Sequence, residues 1–312
     1  MKNKYIDKFN PTYSNELYGY NTLLKDLITL SQNENIPKVL MFSGEKGLGK
    51  FTLALHFINY FFTSKEAQYP YDFKNKIIHE SNIFYNKILN NINENYIYLG
   101  SKEGKSVSVD DIRGIKKKFS NTSLNSFPRF TILDDADQLN KSSANSLLKL
   151  IEEPSKFNYF ILINNQRSKI IETLKSRSIE FKIYLKGSEK HEIFNKLATK
   201  HNVNLSINSD LISKTSPGIL LRVLNSIEEN SIKINNSFFQ NTEILLEKYK
   251  KEKDHALIDT VKFLFHLDLY NKLKKKSVNF IKLNFFKNKI NKLLYNFENF
   301  NLSRNLVLEN LK

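Results

Sequence analysis

The sequence predicts an α/β protein: a parallel sheet built around a phosphate-binding loop, followed by helices alone. Three observations predict it. Residues 38–64 read as an apolar run K-V-L-M-F-S, a glycine-rich turn G-E-K-G-L-G-K-F-T and an apolar helical pattern L-A-L-H-F-I-N-Y-F-F-T-S, the strand, loop and helix of a P-loop. Strand-like runs alternate with helical patterns from Lys38 to Leu185, as in a parallel sheet covered on both faces. From Lys186 onward only helical patterns occur.

The 312 residues suggest about two or three domains at roughly 150 residues each, read here as 1–185, 186–235 and 236–312. Hydrophobic content of 40% and aromatic content of 12%, with no apolar run near the roughly 18 to 20 residues of a membrane span, indicate a soluble globular chain with no membrane partner. The start M-K-N-K-Y-I-D-K lacks the apolar core of a signal peptide, so the expected compartment is the cytoplasm. Zero cysteines exclude a disulfide framework and a thiolate zinc site, and the six histidines show no paired ligand spacing; no metal site is expected. The net charge of +16, from 48 Lys+Arg against 32 Asp+Glu, favours polyanions. Lys, Asn and Ile nevertheless crowd the whole chain, as an AT-rich genome produces, so much of this excess reads as solvated surface.

The elements follow in order. Asn21 or Thr22 is expected to cap a helix whose apolar face is Leu23, Leu24, Leu27, Ile28 and Leu30. Tyr18 and Gly19 just ahead are placed either near a nucleotide base or in simple packing. In the P-loop, Gly44, Gly47 and Gly49 let successive N–H groups turn inward, the new helix adds its positive end, and Lys50 adds a full charge. The next residue should carry a hydroxyl for Mg²⁺, and it is Phe51. Thr52 comes one residue late, about 100° around the helix. Residues 65–95 read as a surface insertion with a helix near Ile83 to Leu89, and Tyr96 to Leu99 as a strand. Ser108 is an expected N-cap; Asp110 and Asp111 fall in the first turn that follows, with Lys116, Lys117 and Lys118 toward the other end. Those lysines suit the helix dipole without DNA, though contact with phosphates stays open.

Arg129 to Asp135, R-F-T-I-L-D-D, is a β-favouring run closing on two carboxylates, where a P-loop protein carries its second magnesium-associated motif. Asp134 takes that place. Asp135 stands where an ATPase puts the Glu that polarises water, and is shorter by about 1.5 Å. Asn140 is expected to cap a helix with Ala144, Leu147, Leu148 and Ile151 that Pro154 stops. N-Y-F-I-L-I-N-N is a buried strand, R-S-K-I-I-E-T-L-K-S-R-S a short helix or turn, and I-E-F-K-I-Y-L a further strand. Beyond Lys186, three helices form a small lid ending near Asn230, with Pro217 at a helix start. Residues 238–312 form a helical bundle, with the lysines among residues 273–276 on its wet face.

D-D-A-D-Q-L-N, L-L-K-L-I-E-E-P, the Asn165 strand end and the S-R-S of Ser176 to Ser178, preceded by S-V-D-D-I-R, resemble the AAA+ subunits of sliding-clamp loaders, and among them the delta-prime group of bacterial DNA polymerase III. The resemblance spans roughly Asn15 to Leu224. It implies a Walker A loop at Gly44, Gly47, Gly49, Lys50, Phe51 and Thr52, a Walker B pair at Asp134 and Asp135, sensor 1 at Asn165, and an arginine finger at Arg177 acting in trans on a neighbour's nucleotide. It implies an AAA+ domain over 1–185, a lid over 186–235 and a collar for oligomerisation over 236–312. Implied partners are loader ATPase subunits, a delta subunit, the sliding clamp and primed DNA. ATP or ADP is the implied nucleotide. Phe51, Asp135 and Gly218, the last at the sensor-2 position with Arg222 one turn on, depart from an active ATPase, so hydrolysis is expected to be weak or absent. The cysteine-free insertion carries none of the zinc module that family members often hold. Two alternatives remain: an active gamma/tau-like loader ATPase, and a stand-alone basic DNA-binding protein.

Overall fold

The computed structural model describes residues 9–66, 68–101, 106–121, 128–152, 156–203, 208–233, 236–274, 280–299 and 302–311. The chain divides into two compact units, Met1–Glu189 and Lys190–Lys312.

Five strands form the sheet of the first unit: β1 (Val39–Ser43), β2 (Tyr96–Leu99), β3 (Arg129–Leu133), β4 (Asn158–Asn164) and β5 (Ile179–Lys182). Their spatial order is β2-β3-β4-β1-β5 and every pairing is parallel. Strands β1 and β3 are buried at every position, because central parallel strands have both faces covered and therefore read as continuous apolar runs. β5 lies at an edge and leaves Ile179 exposed. It stops at Lys182 because its partner β1 ends at Ser43, whose carbonyl accepts the last bond, from Ile183 N at 2.7 Å.

Around the sheet lie α1 (Asn21–Gln32), α2 (Lys50–Thr63), α3 (Ile83–Leu89), α4 (Val109–Asn121), α5 (Lys141–Ile151) and α6 (Glu172–Ser176). Helix α2 is sunk in the core; Phe57 meets Phe130 of β3 edge-on at 6.0 Å, and both are fully buried. Helix α3 has the predicted bounds, fixed by Asn82, whose side chain accepts from Tyr85 N. Ser108 Oγ accepts from Asp111 N at 3.1 Å and Asn140 Oδ1 from Ser143 N at 2.8 Å, so α4 and α5 begin at the expected caps. Pro154 lies outside the described residues. The expected cap of α1 is corrected. Asn21 is already its first residue, and the N-cap is Tyr20 in a left-handed conformation (φ 57°) without a side-chain cap bond. Asn21 instead accepts from Lys76 Nζ.

The regular elements among the described residues of the second unit are all helices. α7 (Gly187–His201) leads into α8 (Ser209–Lys214), α9 (Pro217–Glu229), α10 (Phe238–Glu252), α11 (His255–Lys274), α12 (Phe280–Asn299) and α13 (Arg304–Leu311). Pro217 opens α9, where its missing N–H costs nothing. Ser237 and Gln240 form a reciprocal capping box on α10. Helix α11 packs on α9, α10 and α12, burying Leu257, Ile258, Val261 and Leu264. The side chains of residues 273–276 lie outside the description. Among the described residues no helix is long and apolar enough to cross a membrane.

Candidate nucleotide-binding site

Strands β1, β3 and β4 deliver their carboxyl ends to one place. After Ser43 the chain curls through the glycine loop into α2. Gly44 has no room for a side chain: a Cβ there would lie 2.2 Å from the Ile183 carbonyl oxygen. Gly47 (φ 83°) and Gly49 (φ 81°) adopt the left-handed conformation that glycine takes without steric cost. Lys50, the first residue of α2, is buried and donates from Nζ to Gly44 O at 2.7 Å and Glu45 O at 2.6 Å. Burial lowers its pKa to about 8, against the opposing pull of Asp134, Asp137 and Asp135. Tyr20, left unremarked in the sequence, donates its hydroxyl to Leu48 O at 2.6 Å and anchors the entry turn to the loop. Tyr18 instead bonds Glu16. Phe51 and Thr52 are both buried, and the Phe51 ring meets Tyr98 of β2 edge-on at 5.3 Å. An aromatic contact therefore occupies the position after the P-loop lysine.

The acidic side is held by hydrogen bonds. Asn165 Nδ2 donates to Asp134 Oδ1 at 3.1 Å and to Asp135 Oδ1 at 2.7 Å, so its amide bridges the carboxylate pair. Asp135 sits at φ 57°, a conformation aspartate tolerates better than most residues. It also forms an ion pair with Arg167. Burial pushes the Asp135 carboxyl up, but Arg167 and the Asn165 amide outweigh it and hold the group below the ordinary aspartate range. Asp137 is the third acid of D-D-A-D. It is buried and receives Asn165 N and Arg167 N, each at 2.9 Å, and Ser168 N at 3.3 Å. Three amides on one carboxylate fix the segment that carries Asn165 and Arg167. The third acid so close to the strand end was the one available sign of this; nothing in the sequence pointed to Arg167.

Asp134 is raised to about 6 by burial and then by Asp135. Its folded pKa lies above its unfolded value, so this carboxyl favours the fold below about pH 4 and loses that contribution as pH rises through about 6. Asp134→Asn keeps an acceptor oxygen for Asn165 and removes the charge. It is expected to stabilise the chain by an amount that grows from about pH 4 to about pH 6 and then levels at up to about 3 kcal/mol. Thermal melts of both proteins across that range measure it; a gain that shrinks with rising pH would contradict the assignment.

Arg177 lies elsewhere. It caps the C-terminal end of α6, is partly exposed, pairs with Glu152 Oε1 at 2.8 Å and donates to Thr173 O at 3.3 Å. Gly218 and Arg222 fall within α9 of the second unit.

The sequence profile of a family described as DNA polymerase III, delta subunit, matches residues 19–186, more than half of the chain. The chain belongs to this family. Among relatives of this delta-subunit-family member, DNA polymerase III subunit delta' of Bacillus subtilis is 28% identical over 155 residues, covering 50% of this chain and 44% of that protein. A replication factor C small subunit of Methanococcus maripaludis is 26% identical over 232 residues, covering 73% and 64%. The chain thus spans less than two thirds of either relative's length. A solved DNA polymerase III gamma subunit-related protein from Thermotoga maritima aligns over 91% of this chain and 96% of its own, with 14% identity and a TM-score of 0.47.

For this member of the delta subunit family, the residues present do not fit the Mg²⁺ of P-loop chemistry. Position 51 offers a ring in place of a hydroxyl, and Asp135 is engaged by Arg167 and Asn165. Asp134 Oδ1 accepts from Asn165 and from Asp135 N at 2.8 Å. Mg²⁺ at a phosphate site is held through one or two protein oxygens together with the phosphates, and here residue 51 supplies none and both acids are already engaged.

Proposed function

We propose that the chain is a delta-prime-like subunit of a replicative clamp loader. It stands in a hetero-oligomer with loader ATPase subunits and a delta subunit in the cytoplasm, and helps place the sliding clamp on primed DNA. It supplies Arg177 to a neighbour's ATP. Its own P-loop keeps ATP or ADP with little turnover.

One observation carries this reading: Arg177 and the P-loop are at opposite ends of the sheet. In the β1–β5 register Leu40 faces Ile179 and Ser43 faces Lys182. Arg177 comes before Ile179, at the amino end of β5, and Gly44 follows Ser43, so the two are separated by at least the four strand steps from Ile179 to Ile183, roughly 13 Å at 3.3 Å per step. The guanidinium is remote from its own pocket and partly exposed, as a group acting in trans must be. The pocket meanwhile carries Phe51 and the shorter Asp135 in place of a metal hydroxyl and a longer acid, which supports weak hydrolysis rather than the gamma/tau-like alternative.

Reconstitution tests the proposal. The purified chain is expected to hydrolyse Mg²⁺-ATP at a trace rate only, whereas a loader assembled from the source organism's subunits loads its clamp only when this chain is included. Clamp loading at full rate without it, or robust ATPase from the chain alone, would sink the proposal.

A further inference from the structure

The carboxylates beside the P-loop already have a cation of their own. The backbone N–H of Arg167 is fixed by Asp137 Oδ2 at 2.9 Å, and its guanidinium is paired with Asp135 at the rim of the site, one third exposed. Three formal negative charges, on Asp134, Asp135 and Asp137, thus face two positive ones, on Lys50 and Arg167. In a metal-dependent P-loop a divalent cation stands between phosphate and acid. Here the hydroxyl position is filled by Phe51 against Tyr98, and one of the two acids is tied to Arg167.

We infer that Arg167 takes the place of the metal, so that the pocket binds the phosphate chain of a nucleotide in metal-free form. A guanidinium is suited to this: its five donors are set in a plane, so that it can hold a carboxylate along one edge and meet phosphate oxygens along another. Lys50 spends two of its three donors on loop carbonyls, and the glycine loop and the start of α2 supply neutral N–H groups. For Mg²⁺ to enter beside Asp134, it would have to shed water at a position where Phe51 offers no hydroxyl and the Arg167 guanidinium already sits on the neighbouring acid, and it dehydrates reluctantly. A metal-free diphosphate needs no such exchange, because the repulsion from Asp135 is already cancelled. The inference rests on the reading of this pocket as one that retains nucleotide without efficient turnover.

Calorimetric titration of the full chain with ADP, and separately with pyrophosphate, tests it in EDTA and in excess Mg²⁺. The expected result is binding in EDTA at least as tight as with Mg²⁺. Arg167→Gln is expected to weaken metal-free binding roughly tenfold, the loss of about one charge-assisted contact, and to turn the preference toward Mg²⁺. Arg167→Lys restores charge without the fork and should recover part of the metal-free affinity. Circular dichroism melts identify any variant that fails to fold; a purely structural role would lower affinity equally in both buffers and overturn the inference. Binding that requires Mg²⁺ in the unaltered chain overturns it as well, as does binding unchanged by Arg167→Gln. So does the absence of binding in either buffer. None of these outcomes touches clamp loading by the reconstituted complex, which tests the clamp-loader assignment separately.

Discussion

Arg177→Ala is expected to leave the isolated chain folded while nearly silencing one ATP site of the assembled loader. Its bond to Glu152 joins two partly exposed side chains, and such pairs contribute about 0 to 1 kcal/mol. The chain alone should therefore melt within a few degrees of the unaltered protein. A guanidinium presented to developing charge on a γ-phosphate contributes on the order of 10³-fold or more in turnover. Total DNA-stimulated ATPase should drop by the share of the site that receives Arg177, and single-turnover measurements should show that site slowed by about that factor. Lysine at 177 should rescue little, because a point charge cannot reproduce the planar fork. Unchanged turnover in the complex would remove the trans role.

Gly44→Ala is expected to give the largest loss of stability. The added methyl would sit 2.2 Å from the Ile183 carbonyl oxygen, with the Ile183 carbonyl carbon at 3.2 Å. The obstacle is backbone, and it is pinned, since Ile183 N donates to Ser43 O at 2.7 Å. Relief requires parting β1 from β5, at a cost of about 3 kcal/mol or more. Gly49→Ala is the control. Its φ of 81° strains an alanine, yet nothing lies within 4 Å of the added carbon, so the expected cost is only about 1 to 2 kcal/mol. Urea denaturation followed by circular dichroism separates the two; equal losses would show that loop conformation, not the β1–β5 contact, governs both.

Local chemistry explains what was legible in the sequence. Continuous apolar runs marked β1, β3 and β4 because both faces of those strands are covered, and Asn82, Ser108 and Asn140 marked helix starts by side chains that do cap them. Tyr20 was invisible as a cap because its role comes from a left-handed backbone and a bond to Leu48, 28 residues away. Within the site, the glycines, Lys50, the Asp pair and Asn165 announced themselves through motif spacing. Arg167 and Asp137 did not, since their importance lies in pairings across 32 and 28 or more residues, Arg167 with Asp135 and Asp137 with the amides of Asn165, Arg167 and Ser168. The strand I-E-F-K-I-Y-L also ran too long, because no pattern in those residues shows that the neighbouring strand has already turned away at Gly44.

The placement of Arg177 and the P-loop at opposite sheet ends gives the first unit a direction. In the proposed loader, contacts made through such a unit are heterologous: one face donates, a different face receives, and subunits add head to tail without a two-fold axis. On the proposed trans role of Arg177, the donating face keeps its guanidinium, while the other face has Phe51 and Arg167 where a partner's finger would find a metal-bound phosphate. If Arg177 acts as proposed, a row of subunits would gain catalysis by growing from the first face and none by growing from the second. In the proposed loader, this chain is therefore a terminus, one that sets both the length of the arc and the edge at which it stays open.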